Sequence, residues 1–168
     1  RFLRYNTSRI IFIKSKKGIS FMIKETLWKN EFRQIEFEFE GRYATLIFPH
    51  DDVKTAKWML KTEYFGAFPT FEIEMLGRGW HLAYIKNVTR WCIDEDIDLK
   101  AEFIKYLCSE YGLSPRCVPV GMSCGGMIAC KLAAKYPEYI SSLYLDAPVM
   151  NLLSCPAGLG VGGNDLFP

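Results

Sequence analysis

The sequence predicts an α/β fold in which a mixed, mostly parallel sheet carries helices on both faces. The first third of the chain contains short apolar runs, strict apolar/charged alternation and turn signals, which are typical of antiparallel strands. From residue 50 onward, strand-like segments alternate with helix-like segments, and this order implies right-handed crossovers between parallel strands. We therefore expect a single domain over residues 1–168, with antiparallel strands in 1–49 and β/α alternation in 50–168.

Four strands are predicted in the first part. Residues 10–13 and 19–23 flank the turn signal Lys16-Lys17-Gly18, which favours a hairpin. Residues 35–40 alternate strictly between apolar and charged side chains, so this strand should have one wet face. Residues 43–49 are nearly all apolar, so the fourth strand should lie deeper in the sheet.

The second part is predicted to contain three helices and three strands. In the longest helix, Asp94–Tyr111, Ile97 and Ala101 begin an apolar stripe, acids occupy the first turns, and Gly112 follows the last turn. The expected segments are a connection over 50–68, helices over 69–76, 94–111 and 124–136, strands over 80–85, 116–120 and 140–145, and a loop over 151–168.

Composition excludes several classes of function. The 168 residues are 49% apolar and 24% charged, with a net charge of +2 and no basic block. Neither a nucleic acid nor an anionic membrane is therefore expected as a partner. No apolar run approaches the roughly 18 residues of a membrane span. The opening residues lack the pattern of a signal peptide.

The cysteines favour free thiols over a metal site or disulfides. The six are Cys92, Cys108, Cys117, Cys124, Cys130 and Cys155. No two of them form a C-x-x-C pair and the histidines lie far away, so we expect no metal ligands. No cofactor is expected either. Several occupy apolar positions of predicted elements, which is typical of buried thiols in a reducing compartment. We expect a cytoplasmic protein.

The motif that carries chemistry is Gly121-Met122-Ser123-Cys124-Gly125-Gly126, a G-x-S-x-G pattern between a predicted strand and a predicted helix. A serine at such a turn presents its hydroxyl above the sheet, and small neighbours let strand and helix approach. The helix N-terminus supplies free N–H groups, so the amide of Cys124 is an expected oxyanion donor. A glycine-rich turn that serves packing alone is the alternative, whereas the phosphate-loop patterns are absent.

Four segments resemble the α/β-hydrolase superfamily, in particular its esterase-like and prolyl-oligopeptidase-like members and one bacterial subgroup. The resemblance runs from about Tyr43 to Gly162. The matching segments are Trp58 with residues 63–69, residues 75–82, the turn at 121–126, and Tyr144-Leu145-Asp146-Ala147-Pro148-Val149. The resemblance implies the α/β-hydrolase fold with Ser123 as nucleophile. Cys124 replaces the subgroup's usual arginine, and Cys155 stands where a tryptophan is expected.

The resemblance also suggests further site residues. It implies a second oxyanion donor within residues 55–59, near Trp58, although a tryptophan there is equally suited to a core or pocket wall. Glu63 lies in the loop after the third strand of that fold, and the resemblance implies that it either shapes the substrate pocket or binds substrate.

The catalytic triad is incomplete in this sequence. The superfamily order is serine, then an acid, then histidine, yet His50 and His81 both precede Ser123. We expect His81 to be structural, and His50 to be a base only if the usual order is broken. Asp146, at the end of the strand after the nucleophile helix, is a possible acid, and Asp165 is a weaker one.

Two functions remain open from the sequence. The first is a serine hydrolase acting on a small-molecule ester or a peptide, with the last strands and the triad histidine beyond Pro168. The second is a non-catalytic binding domain on the same scaffold, which the absence of a suitable histidine favours.

Overall fold

A computed structural model describes residues 9–14 and 20–150 of the chain. It contains one eight-stranded sheet, three α-helices and a short 3-10 helix, Pro137–Tyr139. The strands are β1 (Arg9–Lys14), β2 (Ser20–Trp28), β3 (Phe32–Phe39), β4 (Arg42–Ile47), β5 (Trp58–Lys61), β6 (His81–Ile85), β7 (Val118–Met122) and β8 (Tyr144–Asp146). The helices are α1 (Thr70–Gly77), α2 (Asp94–Tyr111) and α3 (Cys124–Lys135).

The first four strands form an antiparallel meander. β1 pairs with β2, β2 with β3, and β3 with β4, and β4 then pairs antiparallel with β6. The predicted hairpin is thus confirmed, with β2 longer than expected. The alternation in β3 buries Ile35 and Phe37 and leaves Glu38 exposed, as predicted, and Ala44 and Leu46 of β4 are fully buried.

The second half of the sheet is parallel. The order β6-β5-β7-β8 brings β5 between two strands that follow it in the chain, so the connections cross the sheet and carry the helices. Because parallel strands share a direction, the carboxyl ends of β5, β6, β7 and β8 meet at one edge. We call this edge the carboxyl edge, and ligands in open α/β sheets bind outside it.

Helices cover both faces of the sheet, as the sequence predicts. The apolar faces of α2 and α3 pack on one side, where Phe103, Ile104 and Ile128 are fully buried. α1 packs on the other side, where Leu76 meets Met59 and Leu82. The two clusters fix the strands that end beside the turn at Ser123.

One strand was not predicted. β5 lies inside the segment 50–68, which was expected to be a connection, and this expectation is wrong. The predicted strand over 140–145 is three residues long, Tyr144–Asp146, with a single bridge from Ile140 to Cys117 before it. The predicted loop over 151–168, with Cys155 and Asp165, lies outside the described residues. No helix among the described residues is long and apolar enough to span a membrane.

Candidate active site

Ser123 occupies a sharp turn between β7 and α3. Its backbone angles are φ 52° and ψ −122°, a conformation that glycine tolerates and side-chain-bearing residues rarely adopt. The strained strand–turn–helix geometry predicted from the motif is therefore confirmed. Such strain persists only where the surroundings hold the backbone, which directs attention to the contacts of this turn.

Glycine is required two residues before Ser123. A Cβ at Gly121 would lie 2.5 Å from the carbonyl oxygen of Gly125 and 2.6 Å from Cα of Gly126. Both obstacles are backbone atoms of α3, so they do not yield as a flexible side chain would. The close approach of strand and helix is thus built into the sequence of the turn.

Backbone hydrogen bonds fix the turn from the neighbouring strand. The N–H of Ser123 donates to the carbonyl of Asp146 at 3.0 Å, and the N–H of Val149 donates to the carbonyl of Ser123 at 3.0 Å. Asp146 pairs with Met122 in the sheet register, so β8 ends beside the turn. The main chain of Asp146 therefore positions Ser123.

The loop between β5 and α1, residues 62–69, packs against the turn from the other side. We call it the 62–69 loop. Thr62 donates its N–H to the carbonyl of Val120 at 3.1 Å and its hydroxyl to the carbonyl of Gly125 at 2.7 Å. A Cβ at Gly125 would lie 3.1 Å from Cβ of Glu63, so the loop touches the first turn of α3.

The hydroxyl of Tyr64 lies beside Ser123. The Tyr64 side chain lies close to those of Cys124 and Ser123, and the guanidinium of Arg90 lies 5.8 Å from its ring centre. Burial and then the Cys124 contact raise the pKa of Tyr64, whereas Arg90 and Ser123 oppose that rise. A phenol that stays protonated can donate a hydrogen bond to a group bound beside Ser123.

Cys124 follows Ser123 directly, and Glu63 packs against Gly125, the residue after Cys124. Cys124 begins α3 and is buried, and the first N–H groups of a helix have no acceptor inside the helix. Glu63 is half-buried, and its carboxylate accepts a hydrogen bond from the amide of Asn87. The helix N-terminus and the Tyr64 hydroxyl together suit a negatively charged oxygen.

Trp58, the predicted oxyanion donor, lies away from this turn. It begins β5, whereas the site lies at the ends of the parallel strands, and its side chain is 1% exposed. Its indole N–H donates to the carbonyl of Ser114 at 2.8 Å. The loop that leads to the site follows Lys61, three residues later than the sequence suggested.

Both histidines, each within the described residues, lie at the opposite edge of the sheet. His81 begins β6 and is buried, with Nδ1 3.4 Å from the carbonyl of Lys57. Burial is the main cause that lowers the pKa of His81, to about 4. His50 follows the antiparallel strand β4, with Nε2 3.4 Å from Glu31 and its ring 5.1 Å from that of Phe32.

Asp146 contributes its main chain to the turn and lines a neighbouring cavity. This cavity of about 210 Å³ lies on the α1 side of β5, β7 and β8. Lys61 and Glu72 also line it and form a buried ion pair. Asp146 is exposed, and it lies one strand away from Ser123.

Sequence reasoning missed Tyr64, Asn87 and Lys100. Tyr64 was seen only as part of a matching segment. Lys100 had a detectable signal, since a lysine one residue before Ala101 interrupts the apolar stripe of α2. Asn87 had none, because its contacts come from two separate segments, the 62–69 loop and α2.

Metal and disulfide sites are not formed in the described part of the chain. No three histidine, cysteine or acidic side chains within residues 9–14 and 20–150 come together to hold a metal ion. The cysteines in that part are free thiols: Cys92, Cys108, Cys117, Cys124 and Cys130.

Comparisons with known proteins agree with this architecture. A family model described as alpha/beta hydrolase fold matches residues 87–160. No curated protein matches the chain. Among solved structures, an epoxide hydrolase from Vigna radiata is 13% identical with a TM-score of 0.54, and the match covers 74% of this chain and 43% of that one.

Two further solved structures are similar at lower scores. A CIB-like hydrolase from Thermoplasma acidophilum is 16% identical with a TM-score of 0.49, and the match covers 70% of this chain and 63% of that one. A cold-adapted esterase from an Arctic intertidal metagenomic library is 17% identical with a TM-score of 0.45, covering 68% and 57%. This chain spans less than two thirds of each of these proteins. The sheet order, the family model and the epoxide hydrolase comparison together show that the chain has the α/β-hydrolase fold.

Proposed function

We propose that the protein is a serine hydrolase that cleaves an ester, or a peptide bond, through an acyl-enzyme on Ser123. The observation that carries the proposal is the strained backbone of Ser123, at a turn that opens helix α3 and has the side chain of Tyr64 close by. Strain of this kind clusters at functional sites, where it fixes the direction of a reacting group. An esterase-like or prolyl-oligopeptidase-like substrate class belongs to the same proposal.

The mechanism assigns a role to each group around Ser123. Its Oγ attacks the acyl carbon while a base accepts its proton, and the carbonyl oxygen becomes an oxyanion. The N–H of Cys124 and the hydroxyl of Tyr64 donate to that oxyanion. The leaving alcohol or amine then takes the proton from the base, and water hydrolyses the acyl-enzyme. Glu63 forms part of the pocket wall through its place beside Gly125.

We place the base on a histidine that follows Pro168, preceded by an acid. The support is geometric, since His50 and His81 both belong to the far edge of the sheet. Asp146 stays a candidate acid from its position at the carboxyl edge. An acid and then a histidine downstream of Pro168 in the gene would complete the triad order of this fold.

A fluorophosphonate probe tests the nucleophile directly. We expect the full-length protein to be labelled at Ser123, as located by peptide mass spectrometry, and Ser123→Ala to lose the label. Ser141→Ala is the matched control, because its hydroxyl donates to the carbonyl of Cys117 and lies away from the carboxyl edge. Equal labelling of Ser123→Ala and wild type would contradict the proposal that Ser123 is the nucleophile.

The second candidate function is a non-catalytic binding domain. The position of both histidines favours it, because a serine without a base is a weak nucleophile. This alternative requires Ser123 to resist the probe in the full-length protein and p-nitrophenyl acetate to be hydrolysed no faster than by Ser123→Ala.

A further inference from the structure

Lys100 is a buried cation inside the protein, close to the candidate site. It lies in α2, is 1% exposed, and donates to Oδ1 of Asn87 and to the carbonyl of Ile85 at 3.4 Å. A buried ammonium is unfavourable unless acceptors surround it. Burial lowers the pKa of Lys100 to about 8, although the carboxylates of Asp96 and Glu63 act in the opposite direction.

The side-chain amide of Asn87 connects Lys100 to the 62–69 loop. Its Nδ2 donates to the carbonyl of Thr62 at 2.8 Å and to the carboxylate of Glu63. The side-chain oxygen faces the ammonium of Lys100 while the nitrogen faces two acceptors. Only one orientation of the amide satisfies all three partners, so Lys100 fixes the Asn87 amide together with Thr62 and Glu63.

Thr62 completes the connection to the nucleophile turn. Its hydroxyl lies between the carbonyls of Gly125 and Val120, at 2.7 and 3.1 Å. A continuous line of buried polar contacts therefore runs from α2 through Asn87 and Thr62 to the first turn of α3. Groups in such a line orient one another, because each is held by its neighbours in a medium of low dielectric constant.

The 62–69 loop, which this line of contacts reaches, has a backbone conformation that contacts from outside the loop must hold in place. Within the 62–69 loop, Tyr64 and Phe68 have φ values of 54° and 46°, and Gly66 has 84°. Non-glycine residues persist in this conformation only where surrounding contacts over-determine the backbone. Inside the loop, the N–H of Ala67 donates to the carbonyl of Tyr64 at 3.0 Å, which closes a tight turn on itself.

We propose that Lys100 and Asn87 are positioning residues that hold the 62–69 loop, and with it the Tyr64 side chain, against the Ser123 turn. This inference rests on the proposed hydrolase function for its catalytic consequence. An apolar residue at position 100 would fill the space without the burden of a buried charge. What the lysine supplies is a fixed direction for the Asn87 amide, and through it for the backbone of Thr62 and Glu63.

Two variants interrupt the hydrogen bonds between α2 and the 62–69 loop, one at Lys100 and one at Asn87. Lys100→Met keeps the length of the side chain and removes the donor, and Asn87→Asp keeps the size and removes both N–H donors. Lys105→Met is the matched control, because Lys105 lies on the same helix, is exposed, and pairs with Glu102. All three are compared with wild type in the full-length protein.

The expected effects concern the loop and the rate. Deuterium exchange of the amides in residues 62–69 should become faster in Lys100→Met and Asn87→Asp, with the sheet unchanged. Labelling of Ser123 by a fluorophosphonate should slow by roughly 10- to 100-fold, the loss expected when a catalytic group is misplaced by about 1 Å. With p-nitrophenyl acetate, kcat should fall while KM stays nearly constant.

The outcomes separate this inference from the proposed function. A wild type without any label would refute the hydrolase, yet faster exchange confined to the loop would still support the positioning role. Labelling at the wild-type rate with unchanged exchange would overturn the inference. Faster exchange throughout the sheet in both variants would also overturn it, because these residues would then support the fold as a whole.

Discussion

At the scale of single residues, the backbone conformation of Ser123 depends on the absence of a side chain at Gly121. The turn keeps a φ of 52° because Gly121 has no side chain and lets β7 approach α3. A non-glycine residue in this conformation costs about 1–3 kcal/mol, which the surrounding contacts must offset. The G-x-S-x-G pattern thus describes steric requirements, and these requirements made the turn predictable from the sequence.

Gly121→Ala tests this steric requirement. Its Cβ would meet backbone atoms of α3 at 2.5 and 2.6 Å, so we expect the free energy of unfolding to fall by roughly 2–4 kcal/mol. Gly77→Ala is the control, because Gly77 ends α1 with open space around its Cβ position, and helical alanine stabilises by up to about 1 kcal/mol.

Urea unfolding followed by circular dichroism measures both variants. If Gly121→Ala lost no more stability than Gly77→Ala, the strand and helix would have room to separate, and the close packing inferred for the turn would be wrong.

At the scale of elements, β5 shows where sequence reasoning reached its limit. The strand is four residues long, and it ends in Lys61, which looks like a solvent-exposed residue in the sequence but is buried. Its partner is Glu72 of α1, eleven positions away, and no local pattern reveals that pairing. Because β5 went unrecognised, the oxyanion donor was expected near Trp58, although the loop over Ser123 begins after Lys61.

The same ion pair links β5 to α1, and its contribution to the free energy of unfolding can be measured. Lys61 and Glu72 are 4% and 2% exposed, so removal of either leaves a buried uncompensated charge. We expect Lys61→Met to lower the free energy of unfolding by about 3–5 kcal/mol. The double variant Lys61→Met/Glu72→Leu should recover most of this loss, since well-packed apolar pairs are often neutral replacements for buried ion pairs.

A double-mutant cycle in urea compares the two single variants with the double one. Arg78→Met with Glu74→Leu is the matched control cycle, because that pair is exposed at the C-terminal end of the same helix and should couple by less than about 1 kcal/mol. Additive losses at Lys61 and Glu72 would contradict a direct link between strand and helix.

At the scale of the whole molecule, the sheet separates two environments. The carboxyl edge brings together the Ser123 turn, the 62–69 loop and the end of β8, whereas His81 and Trp58 begin their strands at the far edge. Strand direction alone produces this division, since every parallel strand ends at the same side. The fold class could therefore be predicted from element order, but the contacts across the edge depended on register and crossover, which the sequence does not display.

The last prediction concerns His81, at the far edge of the sheet, and the stability of the protein at acidic pH. Burial lowers the pKa of His81 from 6.5 to about 4 in the folded state. Between pH 6.5 and pH 4 the unfolded chain binds a proton that the folded chain does not, so the free energy of unfolding falls as the pH falls. A difference of this size corresponds to roughly 3 kcal/mol. His81→Gln cannot bind that proton and keeps a donor for the carbonyl of Lys57, so its stability should decline less across this range. Urea titrations of both proteins at pH 7, 5.5 and 4 give the difference directly, and parallel pH profiles would mean that His81 is protonated as readily in the folded protein as in the unfolded one.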